Sequence, residues 1–254
     1  MASTWASVRL FVVIVKARLE GHHIDLETLA DVIPAGDTRV VRDDDGYYLT
    51  AAEIDDRPAG VPFYEVAPVV LQRVNGLARV MNTGYRPVRL SGRYQEGERR
   101  HQVVHAGCAE VRVQAMPVTI LINGEPAASA PPPGPAYAAT ASTDSDLAEA
   151  LAIMGRQPTP PNWVELYKVY EIIEHTGQLN AAMRVAGVSA NQISLFTRTA
   201  CHPAAGGSDA RHGRSRQDPP KNPMPIAKAR YLIGSLVRGW MDLSAAAEPT
   251  GPPG

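Results

Sequence analysis

Cysteine is almost missing from this chain: Cys108 and Cys201 are the two thiols in 254 residues. Two thiols cannot staple a small secreted domain, so a packed core has to hold the fold, and a reducing cytoplasm is the expected location. Long apolar runs are also missing. "LFVVIV" (Leu10 to Val15) covers six residues, far short of the ~20 a membrane helix needs. It is also too short for the apolar core of a signal peptide, and no small-residue cleavage pattern follows it. Its β-branched content reads as a buried strand. No membrane partner is expected. Aromatic residues make up only 6 % of the chain, and the formal net charge is −1, so nothing global draws the protein to nucleic acid or lipid. No repeat of fixed period is present.

What is there predicts an α+β fold in two parts. Residues 1–124 read as a mixed domain with an antiparallel sheet. "SVRLFVVIVKARL" reads as the first strand. "HIDLETLADVI" is a short helix with Asp25 as its cap and Glu27 and Asp31 facing water. "TRVVRDDDGYYLT" is a hairpin turned at Asp45-Gly46. In "EVAPVVLQRVNGLARVMN" apolar residues fall at 66, 69, 70, 74, 77, 80 and 81, the spacing of one helix face. Gly76 inside it costs about 1 kcal/mol against Ala, so a close neighbour is expected there. "RPVRLSGRY", "HQVVHA", "AEVRVQA" and "VTILING" read as strands of a meander. Residues 125–143 are rich in Pro and Ala and are expected to form an extended linker. Residues 144–244 read as a helical domain, and 245–254 as a disordered tail.

Three clusters invite a metal, and none has the right spacing. Asp43, Asp44 and Asp45 lack the further carboxylates of a calcium loop. His101, His105 and Cys108 lie on predicted strands, where four residues separate the histidines by roughly 13 Å. Cys201, His202 and His212, with Asp209, begin with adjacent residues that point apart. We therefore expect neither metal nor cofactor, and no nucleophilic role for Cys201.

Charge is more informative. From Arg198 to Arg230, seven Lys and Arg stand against Asp209 and Asp218, a surplus of five in a chain of net −1. Around Gly206-Gly207, such a loop suits phosphate oxygens. Just before it, "LNAAMRVAGVSANQISLFTRTA" has the apolar spacing of a helix-turn-helix, with Gly187 in the turn. Its second helix presents Asn191, Gln192, Ser194, Thr197 and Arg198. Met183 stands where a small residue usually lets such helices approach. The expected contact set is Asn191, Gln192, Arg198, Arg211, His212, Arg214, Arg216 and Lys221.

Two resemblances accompany these readings. "WVELYKVYEII", "FTRTA", "ARHG" and "PPKNPM", with "RVVRDDDGYYL" and "NGLARVMNTGYRPVRLSG", resemble a family of bacterial proteins, mostly actinobacterial and phage-associated, with no assigned activity. The resemblance covers most of the chain outside linker and tail. It implies a bacterial cytoplasmic protein with the two-part layout. The family is expected to carry Asn at the position of Cys201, which argues against an essential thiol. The helical part also resembles, in outline, ribonucleases of the HEPN type, which pair an Arg and a His with four to six residues between them. Here Arg198 and His202 are closer than that, so His212 is the alternative partner of Arg198. The expected function is non-catalytic binding of a phosphate-bearing partner such as nucleic acid. A metal-independent ribonuclease using Arg198, His202 and His212, and a protein-interaction adaptor, are the alternatives.

Overall fold

A computed structural model describes residues 14–103 and 132–247, together with the strand backbones 121–122 and 125–126. The fold is α+β, with the strands in the N-terminal half and helices through the C-terminal half. Strands β1 (Val15–Glu20), β2 (Thr38–Asp43), β3 (Gly46–Ala51), β4 (Arg89–Glu96) and β5 (Arg99–Gln102) form an antiparallel five-stranded sheet in the order β2-β3-β1-β4-β5. Ala17 sits opposite both Leu49 and Tyr94. Alternation along the strands therefore turns Val15, Ala17 and Leu19 into the core, while Lys16, Arg18 and Glu20 take the other face. Short β6 (Leu121–Ile122) and β7 (Glu125–Pro126) pair with each other. The predicted strand residues 7–13 and 104–120, with His105 and Cys108, lie outside the described residues.

The β2-β3 hairpin closes between Asp43 and Gly46. Its carboxylates meet cations of β1, Lys16 to Asp43 at 2.9 Å and Arg18 to Asp45 at 3.0 Å. The bond from Lys16 lowers the Asp43 carboxyl below its ordinary range. On β5, His101 lies against the Phe63 ring and 3.5 Å from the Glu96 carboxylate.

Helix α1 (His23–Val32) is capped by His22, whose Nδ1 accepts from the Ile24 N–H. Asp25, expected as the cap, is instead buried in the first turn and accepts from the Arg86 N–H at 2.9 Å. Glu27 and Asp31 do not simply face water; both pair with Arg42 of β2. After α2 (Ala52–Asp55) comes α3 (Phe63–Met81), the long helix the periodicity predicts. It buries Val70, Val74, Leu77 and Val80, but Val69 is 60 % exposed.

The polar residues of α3 decide more than the apolar ones. Asn75 is fully buried, donates to the Val88 carbonyl at 2.9 Å, and accepts from the Val88 N–H and the Tyr85 hydroxyl. It thereby fixes the chain entering β4. On another side of α3, Gln72, Gly76 and Arg79 face α5 (Ser145–Met154). Gln72 donates to the Ala152 carbonyl at 2.8 Å and Arg79 to the Met154 carbonyl at 2.6 Å. These side chains satisfy carbonyls that a helix C-terminus leaves without partners. A Cβ on Gly76 would collide with the Leu151 carbonyl, and one on Gly155 with the Gln72 carbonyl. The close neighbour expected at Gly76 is α5.

Part of the segment expected as an extended linker, 125–143, is helical instead. Residues 134–143 form α4 (Gly134–Thr143), which buries Tyr137, Ala138, Thr140 and Ala141. Tyr137 donates to Asp242 of α10 (Ile226–Ala247). Burial and then that carboxylate push its phenol up to about 12, so it keeps its proton and its donor role. One hydrophobic core runs from the sheet through α3 into the C-terminal helices. Helix α10 also continues to Ala247, into the segment expected as a tail.

Helices α6 (Trp163–His175), α7 (Leu179–Ala186) and α8 (Ala190–Cys201) complete the C-terminal layer. Asn162 and Glu165 form a capping box on α6, and Ser189 and Gln192 form another on α8. No helix among the described residues is long and apolar enough to cross a membrane. We expect Gly76→Ala to destabilise the fold by about 2 kcal/mol or more, as overpacking against backbone does. Asn75→Ala should cost about 2–3 kcal/mol through orphaned buried groups. Val69→Ala should be nearly neutral. Urea denaturation of the three variants checks all of this.

Candidate functional site

The sequence from Cys201 to Met224 contains a four-residue helix α9 (Pro203–Gly206) and a 3₁₀ turn (Gly207–Asp209), and is otherwise irregular. It is nevertheless tied down. The Arg211 N–H donates to the Ala200 carbonyl at 2.8 Å, and the Met224 N–H to the buried Thr199 hydroxyl at 3.1 Å. His202 holds it from within. Its Nδ1 accepts from the Ala204 N–H at 3.1 Å, and its Nε2 lies 2.8 Å from the Gln217 carbonyl. A ring with one nitrogen accepting and the other facing a carbonyl is the neutral Nε2–H tautomer.

These ties fold the loop over the end of α8 and leave a cavity of about 360 Å³. Arg198, Cys201, His202, His212, Ser215, Arg216, Gln217 and Asp218 line it. The volume lies within the roughly 300–1,000 Å³ of small-ligand pockets, although this one is half open and lined mostly by charged and polar residues. Among the described residues, Arg198 and Arg216 have no hydrogen-bond or ion-pair partner. Among those residues, no group of three or more His, Cys, Asp or Glu is placed to hold a metal.

Arg198, His212 and Arg216 of the expected contact set thus meet at one pocket. Arg211 does not join them. It turns back onto α6, pairing with Glu171 at 2.7 Å and lying 4.3 Å from the Tyr167 ring centre. Burial and the neighbouring Cys201 thiol raise the Tyr167 phenol above its ordinary value. Arg211 is an anchor for the loop. Arg214 and Lys221 are exposed and outside the pocket. Gln192 has its carbonyl oxygen engaged by the Ser189 N–H and hydroxyl, both at 2.9 Å. Asn191 is exposed on α8. The contribution of Ser215, Gln217 and Asp218 had no sequence signal beyond proximity to Arg216. Cys201, set aside as a nucleophile, lines the wall.

Helix α8 itself is rigidly seated. Phe196 packs among Trp163, Tyr167 and Tyr170 of α6, with ring centres 6.0–6.2 Å apart. Helix α7 lies against α10, where a Cβ on Gly239 would press on the Ala182 carbonyl. Gly187 links α7 to α8 with φ 65° and ψ 28°, a left-handed conformation that favours glycine.

No protein-family model, curated protein or solved structure matches the chain. The resemblances of "FTRTA" and its companion segments therefore rest on those segments alone, and the pocket has to be read from its own chemistry.

Because His202 bridges two backbone positions, His202→Ala should lower stability by about 1–2 kcal/mol, the range for a lost cap and hydrogen bond. Arg214→Ala should leave stability unchanged. Chemical denaturation of both variants provides the measurement.

Proposed function

We propose that the protein is a non-catalytic binding protein whose pocket at the end of α8 holds phosphate groups of a nucleic acid, with α7 and α8 acting as a helix-turn-helix unit. The observation that carries this reading is the meeting of Arg198, His212 and Arg216 on one pocket, with both guanidiniums left without an anionic partner among the described residues. Like charges lining one cavity repel; a bound phosphate turns that repulsion into attraction. Charge-assisted hydrogen bonds of this kind contribute roughly 1.5–3 kcal/mol each. Asp218 on the same wall limits how much negative charge the pocket accepts. Bacterial cytoplasm is the setting this function suits.

The test is fluorescence anisotropy with labelled nucleic acids over a salt series. For about four phosphate contacts, affinity should fall roughly a hundredfold between 50 and 200 mM salt. Replacing both Arg198 and Arg216 by Ala should remove about two units of the log–log salt slope. Binding that is absent at low salt, or indifferent to salt, overturns the proposal.

Arg198 and His212 on one pocket also suit the ribonuclease alternative, with His212 as general acid or base and Arg198 on the scissile phosphate. His202 has no place in it, since both ring nitrogens are engaged by the main chain. This alternative expects RNA cleavage without added metal that His212→Ala abolishes; unchanged cleavage rejects it.

A further inference from the structure

Which nucleic acid fits depends on what α8 leaves exposed. Asn191, Ser194 and Arg198 are all exposed, while Ile193, Phe196 and Ala200 are buried. Spacings of three and four place the exposed residues on one stripe. From Asn191 to Arg198 the stripe extends about 10 Å at 1.5 Å per residue. That approaches the roughly 12 Å width of the B-form major groove. The stripe runs toward the pocket, since Arg198 belongs to both.

The chemistry on offer is equally selective. Single strands are held largely by stacking on aromatic side chains. Neither the stripe nor the pocket carries Phe, Tyr or Trp; of the pocket groups able to stack on a base, His202 is engaged by the main chain, and His212, Arg198 and Arg216 are the set assigned to phosphate. Trp163, Tyr167, Tyr170 and Phe196 are packed against one another beneath α8, and the exposed Tyr231 lies on α10, outside the pocket. Duplex RNA has a major groove too narrow and deep for side chains to read. An amide, a hydroxyl and guanidiniums remain, and these are the groups that read base edges and phosphates of duplex DNA.

Resting on the phosphate-binding reading above, we propose that the partner is duplex DNA. Helix α8 enters the major groove and Asn191 reaches a base edge, adenine being the base whose edge an Asn amide matches. The pocket of Arg198, His212 and Arg216 closes on a backbone phosphate at the far end of the helix. Base reading and phosphate holding are thereby divided between the two ends of α8. Helix α7, fixed on α10, and the Phe196 cluster supply the rigidity that such docking requires.

The experiment compares four labelled probes of equal length and matched sequence: duplex DNA, single-stranded DNA, duplex RNA and single-stranded RNA. The full chain should bind duplex DNA at least tenfold more tightly than the others. Selection from a random duplex pool should enrich a motif containing adenine. Asn191→Ala should flatten that enrichment with the salt slope unchanged. Arg216→Ala should keep the enrichment and reduce the slope by about one. Asn191 is exposed and without a hydrogen-bond partner among the described residues, so its variant should fold; matching circular-dichroism melts verify this. Equal or tighter salt-dependent binding of single strands or duplex RNA overturns the duplex assignment and leaves the phosphate reading standing. Enrichment unaffected by Asn191→Ala overturns the placement of α8. Failure of every probe to bind overturns both readings.

Discussion

The approach of α3 to the C-terminal end of α5 is the constraint on which the rest of the structure depends. At Gly76 and Gly155 there is no room for a Cβ, so the two backbones touch. Such proximity would normally bury carbonyls without partners, a costly arrangement. Gln72 and Arg79, one turn to either side of Gly76, supply the missing donors to Ala152 and Met154. Burial lowers the Arg79 pKa, as desolvation of a cation must, and the bonds to carbonyls keep its charge useful there. Asn75 on the same helix holds the start of β4. A single helix thus joins the sheet to the helical layer.

The pocket inherits its rigidity from that joint through α6 and α10. Helix α10 packs on α3, α5 and α6, and α7 packs on α10. Helix α8 rests on the aromatic side of α6. A loop rich in Arg and Gly would ordinarily be solvated and mobile. Here Arg211 clamps it to Tyr167 and Glu171, and His202 ties its start to Gln217. Some basic and polar groups therefore serve the loop, which leaves others free to serve a ligand.

Much of the helical layout was legible. Asn162, Ser189 and Asp144 announce helix starts because their side chains accept from first-turn N–H groups. Ala229, Leu232, Ile233, Leu236, Val237 and Trp240 announce the buried side of α10. Residues 134–143 read as extended because Pro suggests extension. Yet Pro133 and Pro135 stand at the start of α4, where a missing N–H costs nothing, and "AYAATAST" continues it. Asp25 looked like a cap because its partner, the Arg86 N–H, is distant in sequence.

At the candidate site the division is sharper. The sequence by itself determined the elements: an α8 with a polar stripe, a glycine turn before it, and a surplus of positive charge after it. Local preferences act over a few residues, and capping, periodicity and charge are local. Only the tertiary structure decided that Arg198, His212 and Arg216 share a pocket while Arg211 faces away. It also decided that His202 is a structural tie. Those outcomes depend on which backbone carbonyls, rings and carboxylates the packing brings within about 3–4 Å, and Glu171 and Tyr167 reach Arg211 from another helix altogether.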